Sequence, residues 1–137
     1  MSAKKLPAIS PYAMPGEEPR NRVDWRPDPA RTVLLIHDMQ NYFMASFPRR
    51  DSPTTQLLGN IAMLRTDGVA IGIPIVYTAQ PGAQAAPDRT LLTDFWGPGR
   101  TTACEAFMRD IQAFVVADAV ADFGPDEHRQ ALHWIAG

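Results

Sequence analysis

With 137 residues, 45% of them hydrophobic and 20% charged, the chain suits one soluble globular domain, which excludes disorder and fibrous structure as descriptions of the whole. Thirteen Lys and Arg against fifteen Asp and Glu leave a formal net charge of -2, too weak a field to hold a polyanion, so nucleic acid is not an expected partner. No apolar run reaches membrane-spanning length and no apolar segment follows Lys4 and Lys5, so no membrane partner is expected and the expected location is cytoplasmic.

Residues 1–31 are rich in proline and charge, with apolar residues set singly, and read as an extended N-terminal arm. Leaving Tyr12 and Trp25 in water would be costly, so the arm is expected to lie along the domain or a partner subunit; a disordered leader is the alternative. The domain proper then spans 32–137. Its first element is the apolar run Thr32 to Ile36, the pattern of a strand buried on both faces of a parallel sheet. After a proline-bearing loop, Leu57, Leu58, Ile61, Leu64 and Arg65 have helical spacing, with Thr54 or Thr55 to cap the start and Gly68 or Gly72 to stop it. Ile73 to Thr78 predicts a second buried strand and completes a βαβ unit. A short amphipathic helix over Asp88 to Trp96 ends at Gly97-Pro98-Gly99, and a helix capped by Thr101 or Thr102 follows. Ala113 to Ala119 reads as a third strand, and Asp126 to Ile135, introduced by Gly124-Pro125, as the last helix.

In open parallel sheets, ligands bind beyond the carboxyl ends of the strands. Asp38 stands there, directly after the first apolar run, where low dielectric would favour its neutral form and let it act as a proton donor; a turn-capping Asp is the alternative. Gln80 ends the second strand and is either a substrate-binding amide or a polar turn residue. Arg89 can clamp a carboxylate or simply be solvated on a helix face, and Trp96 can wall a pocket or fill the core. In a regular strand, His37 points away from Asp38, which argues for a structural histidine and not a catalytic pair. His128 and His133 are not spaced to share a metal, and Cys104, the only cysteine, has no companion for a disulfide or a metal site, so no metal is expected. Cys104 is either a small buried residue or a nucleophile.

Taken together, the segments resemble the isochorismatase family of α/β hydrolases. The likeness is carried by Tyr12-Ala13-Met14-Pro15, Val23-Asp24-Trp25, Leu34 to Phe43, Tyr77 to Gly82, Asp94 to Gly99, Ala106 to Ile111 and Val116 to Phe123, which between them touch nearly every part of the chain. It implies a three-layer α-β-α, Rossmann-like parallel sheet with the arm outside it. It also implies cleavage of the vinyl ether of isochorismate to pyruvate and 2,3-dihydro-2,3-dihydroxybenzoate, in a siderophore or phenazine type of pathway. On this resemblance Asp38 is the catalytic acid, Gln80 and Arg89 bind polar groups of the substrate, and Trp96 and Phe43 wall its ring. No metal or organic cofactor is implied.

The chain also departs from the family pattern. Between Arg100 and Thr101 the family carries about two further strand-helix units, one bearing a catalytic lysine in a Lys-Trp-Arg-Tyr motif, and this chain has no lysine after Lys5 and ends at Gly137 before the family's last strand. The parallel sheet is therefore expected to be incomplete, with unpaired backbone groups that favour association into a homo-oligomer. Two functions follow as expectations. One is an internally shortened isochorismatase acting on a small-molecule substrate. The other is a catalytically impaired relative that binds an aromatic or cyclohexadiene carboxylate or pairs with a full-length homologue. Cysteine-dependent amide hydrolysis, known on the same fold, is disfavoured because Cys104 aligns inside a helix, past the turn where the nucleophile would stand.

Overall fold

β-Branched and leucine side chains in short runs favour extended backbone, and in the computed structural model, which describes residues 6–79 and 102–137, two such runs pair. Strand β1 (Leu34–Ile36) lies parallel to β2 (Ile75–Tyr77), with Leu34 opposite Ile75 and Ile36 opposite Tyr77. The predicted strands are longer than those observed. Thr32 is diverted into the end of a 3-10 turn, Pro29–Arg31, where its hydroxyl donates to the Asp28 carbonyl at 2.6 Å.

Between the strands run the short helix α1 (Asn41–Met44) and the long helix α2 (Thr54–Ala70). Neither threonine caps α2. Pro53 occupies the cap position, and Thr54 enters the helix with its hydroxyl buried and without a hydrogen-bond partner among the described residues. Of the two expected stop signals, Gly72 is the one that ends the helix. Its φ of 79° lets the amides of Gly72 and Ile73 turn back onto the carbonyls of Val69 and Gly68, satisfying two acceptors that the helix end would otherwise orphan. A Cβ at Gly72 would meet nothing within 4 Å, so its cost is purely the left-handed backbone. Gly72→Ala is accordingly expected to lower stability by about 1 kcal/mol, read as a lower urea midpoint with an unchanged slope. Gly68 has a different role: it is buried within α2, and a Cβ there would stand 3.2 Å from Ile75 Cδ1, so it brings the helix close to β2.

That packing covers one face of the sheet. Ile36 is buried, whereas Leu35 and Val76, which point the other way, are 42% and 46% exposed. The expectation of burial on both faces is thus corrected. The predicted third strand, Ala113 to Ala119, is also absent. Ala117–Ala119 forms a 3-10 turn against α2, held by the Asn60 amide donating to the Asp118 carbonyl at 2.6 Å. A strand is stable only as part of a ladder, and no neighbour for this segment occurs among the described residues.

The last helix, α4 (Pro125–Ala136), begins at Gly124-Pro125 as expected, with Asp126 and Glu127 in its first turn, where negative charge complements the helix dipole. Helix α3 (Thr102–Phe107) contains Cys104. The described residues divide into two compact units, 6–79 with 116–137 and 102–115. In the first, residues 9–14 hydrogen-bond to the loop before α2, from the Ile9 amide to the Ser46 carbonyl at 2.7 Å and from the Tyr12 amide to the Ser52 carbonyl at 3.1 Å. Farther along, the Arg22 amide donates to the Ala136 carbonyl, and Trp25 is 39% exposed.

Tyr12 adds contacts from its side chain. Its hydroxyl donates to the Asp122 carbonyl at 2.9 Å, accepts from the Asp122 amide at 3.0 Å and lies 3.3 Å from His128 Nδ1. The Tyr12 and His128 rings meet edge to face at 6.0 Å, and His128 is 1% exposed. No helix among the described residues is long and apolar enough to cross a membrane.

Candidate active site

The polarity that ends β1 begins with a change of backbone hand. Asp38 has φ = 54°, a left-handed conformation that Asp and Asn tolerate better than other residues with a Cβ. The turn swings the Asp38 carboxylate back to the side on which His37 lies. His37 Nε2 and Asp38 Oδ2 come within 3.5 Å, so the expectation that these neighbours point apart is corrected. Strand alternation holds only while both residues have extended dihedrals.

Thr78 braces this turn from the adjacent strand. The register that sets Ile36 opposite Tyr77 carries Thr78 level with His37, where the Thr78 amide donates to the Ile36 carbonyl at 3.1 Å. Its hydroxyl accepts from the Asp38 amide at 3.2 Å and sits 2.5 Å from His37 Nδ1. Sequence reasoning passed over Thr78. The signal was available in the two strands' matching ends, since parallel pairing brings the residues after them side by side.

The Asp38 side chain is 32% exposed, so the described residues withdraw the carboxyl only partly from water. Phe43 is half-buried on α1, with its ring edge to face against Tyr42 at 5.3 Å. A groove of about 430 Å³ opens beside them at the same end of the sheet, lined by Ile36, Met39, Met44, Ile61, Arg65 and Tyr77 but not by Asp38 or Phe43. Arg65 Nε donates to the Tyr77 hydroxyl at 2.9 Å on its wall. Gln80, Arg89 and Trp96, and the junction of Arg100 with Thr101, lie outside the described residues. Among the described residues, no group of three or more His, Cys, Asp or Glu side chains is placed to hold a metal ion. His133 Nδ1 pairs with the Arg129 carbonyl one turn back on α4, away from His128.

What this arrangement offers chemically is one carboxyl group at the carboxyl end of a parallel strand, in a fixed backbone turn, with an imidazole on one oxygen. It can hold and transfer a proton.

No family model matches the chain. Comparison with individual proteins is informative. Over 96% of its length the chain is 42% identical to the isochorismatase of Bacillus subtilis, of which it spans 62%. It is 34% identical to enterobactin synthase component B of Escherichia coli, spanning 68% of that protein, and 31% identical to the phenazine biosynthesis protein PhzD of Pseudomonas fluorescens, spanning 92%. The match to the first two runs over 193 residues against the 137 present here, so these relatives carry internal residues that this chain lacks. With identities of this size across nearly all of its residues, the chain belongs to the isochorismatase family.

Proposed function

We propose that the protein hydrolyses the vinyl ether of isochorismate, with Asp38 as the acid, releasing pyruvate and 2,3-dihydro-2,3-dihydroxybenzoate. The observation that carries this reading is the placement of Asp38. In a chain 42% identical to an isochorismatase, the first carboxyl after β1 is held in a left-handed turn and braced by Thr78 at the end of β2.

The difficult step is protonation of the methylene carbon. Asp38 in its acid form gives its proton to that carbon, and the electron pair of the double bond forms the new C–H bond, leaving an oxocarbenium ion. Water adds to the cation and returns a proton to the Asp38 carboxylate. The hemiketal then collapses: its hydroxyl proton passes to the departing ring oxygen, the C–O bond breaks and pyruvate leaves. Every proton is accounted for without a metal or an organic cofactor. In this reading Gln80 and Arg89 hold the polar groups of the substrate, Arg89 pairing with a carboxylate, while Phe43 and Trp96 flank the ring. The three-layer α-β-α architecture belongs to the same proposal. So does association of the chain with itself, which the exposed Leu35 and Val76 on the open face of the sheet support.

A second reading, a relative that binds a ring carboxylate without turning it over or that pairs with a full-length homologue, is favoured by one observation: the relatives' aligned 193 residues exceed this chain's 137. The deciding experiment is incubation of the purified chain with isochorismate, with pyruvate followed through lactate dehydrogenase. Steady pyruvate release supports hydrolysis. Binding detected by calorimetry in the absence of pyruvate supports the second reading.

A further inference from the structure

Asp38 is joined to itself by a circuit of polar groups. Its backbone N–H donates to Thr78 Oγ1 at 3.2 Å, Thr78 Oγ1 lies 2.5 Å from His37 Nδ1, and His37 Nε2 lies 3.5 Å from Asp38 Oδ2. A threonine hydroxyl has one proton to give and two lone pairs to accept with, and one of those lone pairs is committed to the Asp38 amide. Two arrangements remain for the contact with Nδ1.

If His37 donated from Nδ1, its Nε2 lone pair would repel an ionised Asp38 and would bind the acid proton on Oδ2, away from Oδ1, when Asp38 is protonated. If Thr78 donates to Nδ1, the neutral imidazole carries its proton on Nε2 and directs it at Asp38 Oδ2. The second arrangement uses the hydroxyl proton and is attractive for the acid and the carboxylate alike. At 3.5 Å the last contact is longer than a hydrogen bond, and its closing when substrate binds is part of the proposal below.

We propose that Thr78 and His37 are positioning residues for Asp38: the Thr78 hydroxyl sets the His37 tautomer, and the Nε2–H of His37 occupies Oδ2, so that the acid proton resides on Oδ1. This rests on the reading of Asp38 as the acid. The circuit has a mechanical part, because the same Thr78 oxygen restrains the amide of the left-handed residue. It also has an electrostatic part. When Oδ1 has given up its proton, the Nε2–H remains on the carboxylate that forms and stabilises it, at the moment when charge develops.

The test is made on the full chain labelled with ¹⁵N, using long-range ¹H–¹⁵N spectra of the histidine rings, with His37→Gln identifying the His37 signals. Neutral His37 is expected to carry its proton on Nε2. Thr78→Val, which keeps the shape and removes the hydroxyl, is expected to shift the population toward Nδ1–H, and Thr78→Ser to restore it. In the pyruvate assay Thr78→Val is expected to lower kcat about tenfold with KM changed by less than about twofold, and Thr78→Ser to recover most of the loss. His37 protonated on Nδ1 in the unsubstituted protein would overturn the proposal, whether or not Thr78→Val folds. Equal losses in the Val and Ser variants would overturn it as well. Should the unsubstituted chain release no pyruvate, the catalytic reading of Asp38 fails, and the tautomer measurements still decide the circuit.

Discussion

Replacing Asp38 by Asn is expected to slow pyruvate release by about a hundred- to ten-thousand-fold, the range by which a positioned general acid contributes. The substitution is chosen for what it leaves alone. Asn matches Asp in size and tolerates positive φ, so the backbone at 54° and the amide hydrogen bond to Thr78 are retained. What disappears is the only proton the group can give to carbon. Asp38→Ala would be a poorer experiment, because it adds a backbone cost of about 1 kcal/mol and blurs chemistry with stability. The measurement is the coupled assay at saturating isochorismate, with circular dichroism to establish that the variant is folded. An Asn variant that releases pyruvate as fast as the unsubstituted chain would remove Asp38 as the acid and assign the proton transfer to another group.

Tyr12→Ala is expected to cost about 3 kcal/mol, a large share of the stability of a domain this size. The ring is buried, and its removal also leaves the Asp122 amide and carbonyl without their partner. Tyr12→Phe isolates the second effect and is expected to cost about 1–2 kcal/mol.

The contact also carries a signature in pH. Burial pushes the His128 imidazole below its ordinary pKa of 6.5; the Ala117 carbonyl and the Asp122 charge, which favour the protonated ring, oppose that shift without reversing it. Among the described residues Nε2 has no hydrogen-bond partner, as suits a neutral ring with a bare lone pair. Because the unfolded chain takes up this proton near 6.5 and the folded chain resists until a lower pH, the stability associated with His128 is complete above 6.5 and is lost as pH falls below it.

Tyr12 sets the other limit. Burial raises its phenol above the ordinary 10.0, with the Asp122 backbone hydrogen bond opposing and the charges of Asp122 and Glu127 adding to the rise. Unfolded tyrosine ionises first, so this contribution is complete below 10.0 and is lost as pH rises beyond it. Urea midpoints measured from pH 5 to pH 8 are expected to rise with pH in the unsubstituted chain and to rise less in His128→Phe. Parallel curves for the two proteins would assign the acid limb to other groups.

Much of the fold is legible in local sequence because its causes are local. The Gly72 stop, the Gly124-Pro125 start and the two apolar runs each follow from the dihedral or hydrogen-bonding limits of the residues concerned. The same holds for membership of the isochorismatase family, since the run from Leu34 to Phe43 and its companions are properties of the chain and need no coordinates. Asp38 is a candidate for a related reason: it is the first carboxyl after an apolar strand, at the end of a parallel sheet where ligands generally bind.

The remaining features depend on neighbours distant in the chain. Ala113 to Ala119 has the composition of a strand, yet a ladder requires a second strand at its side, and the described residues supply α2 instead. Leu35 and Val76 are as apolar as Ile36, but among the described residues it is the face beneath α2 that is covered. The motifs carried by the chain were enough to show the family, and Asp38 as its acid is part of the proposed function. Whether His37 could reach Asp38 was decided by the left-handed turn at Asp38, and whether Thr78 had any part in it by the register of β1 on β2, because the Thr78 contacts join segments some forty residues apart in the chain.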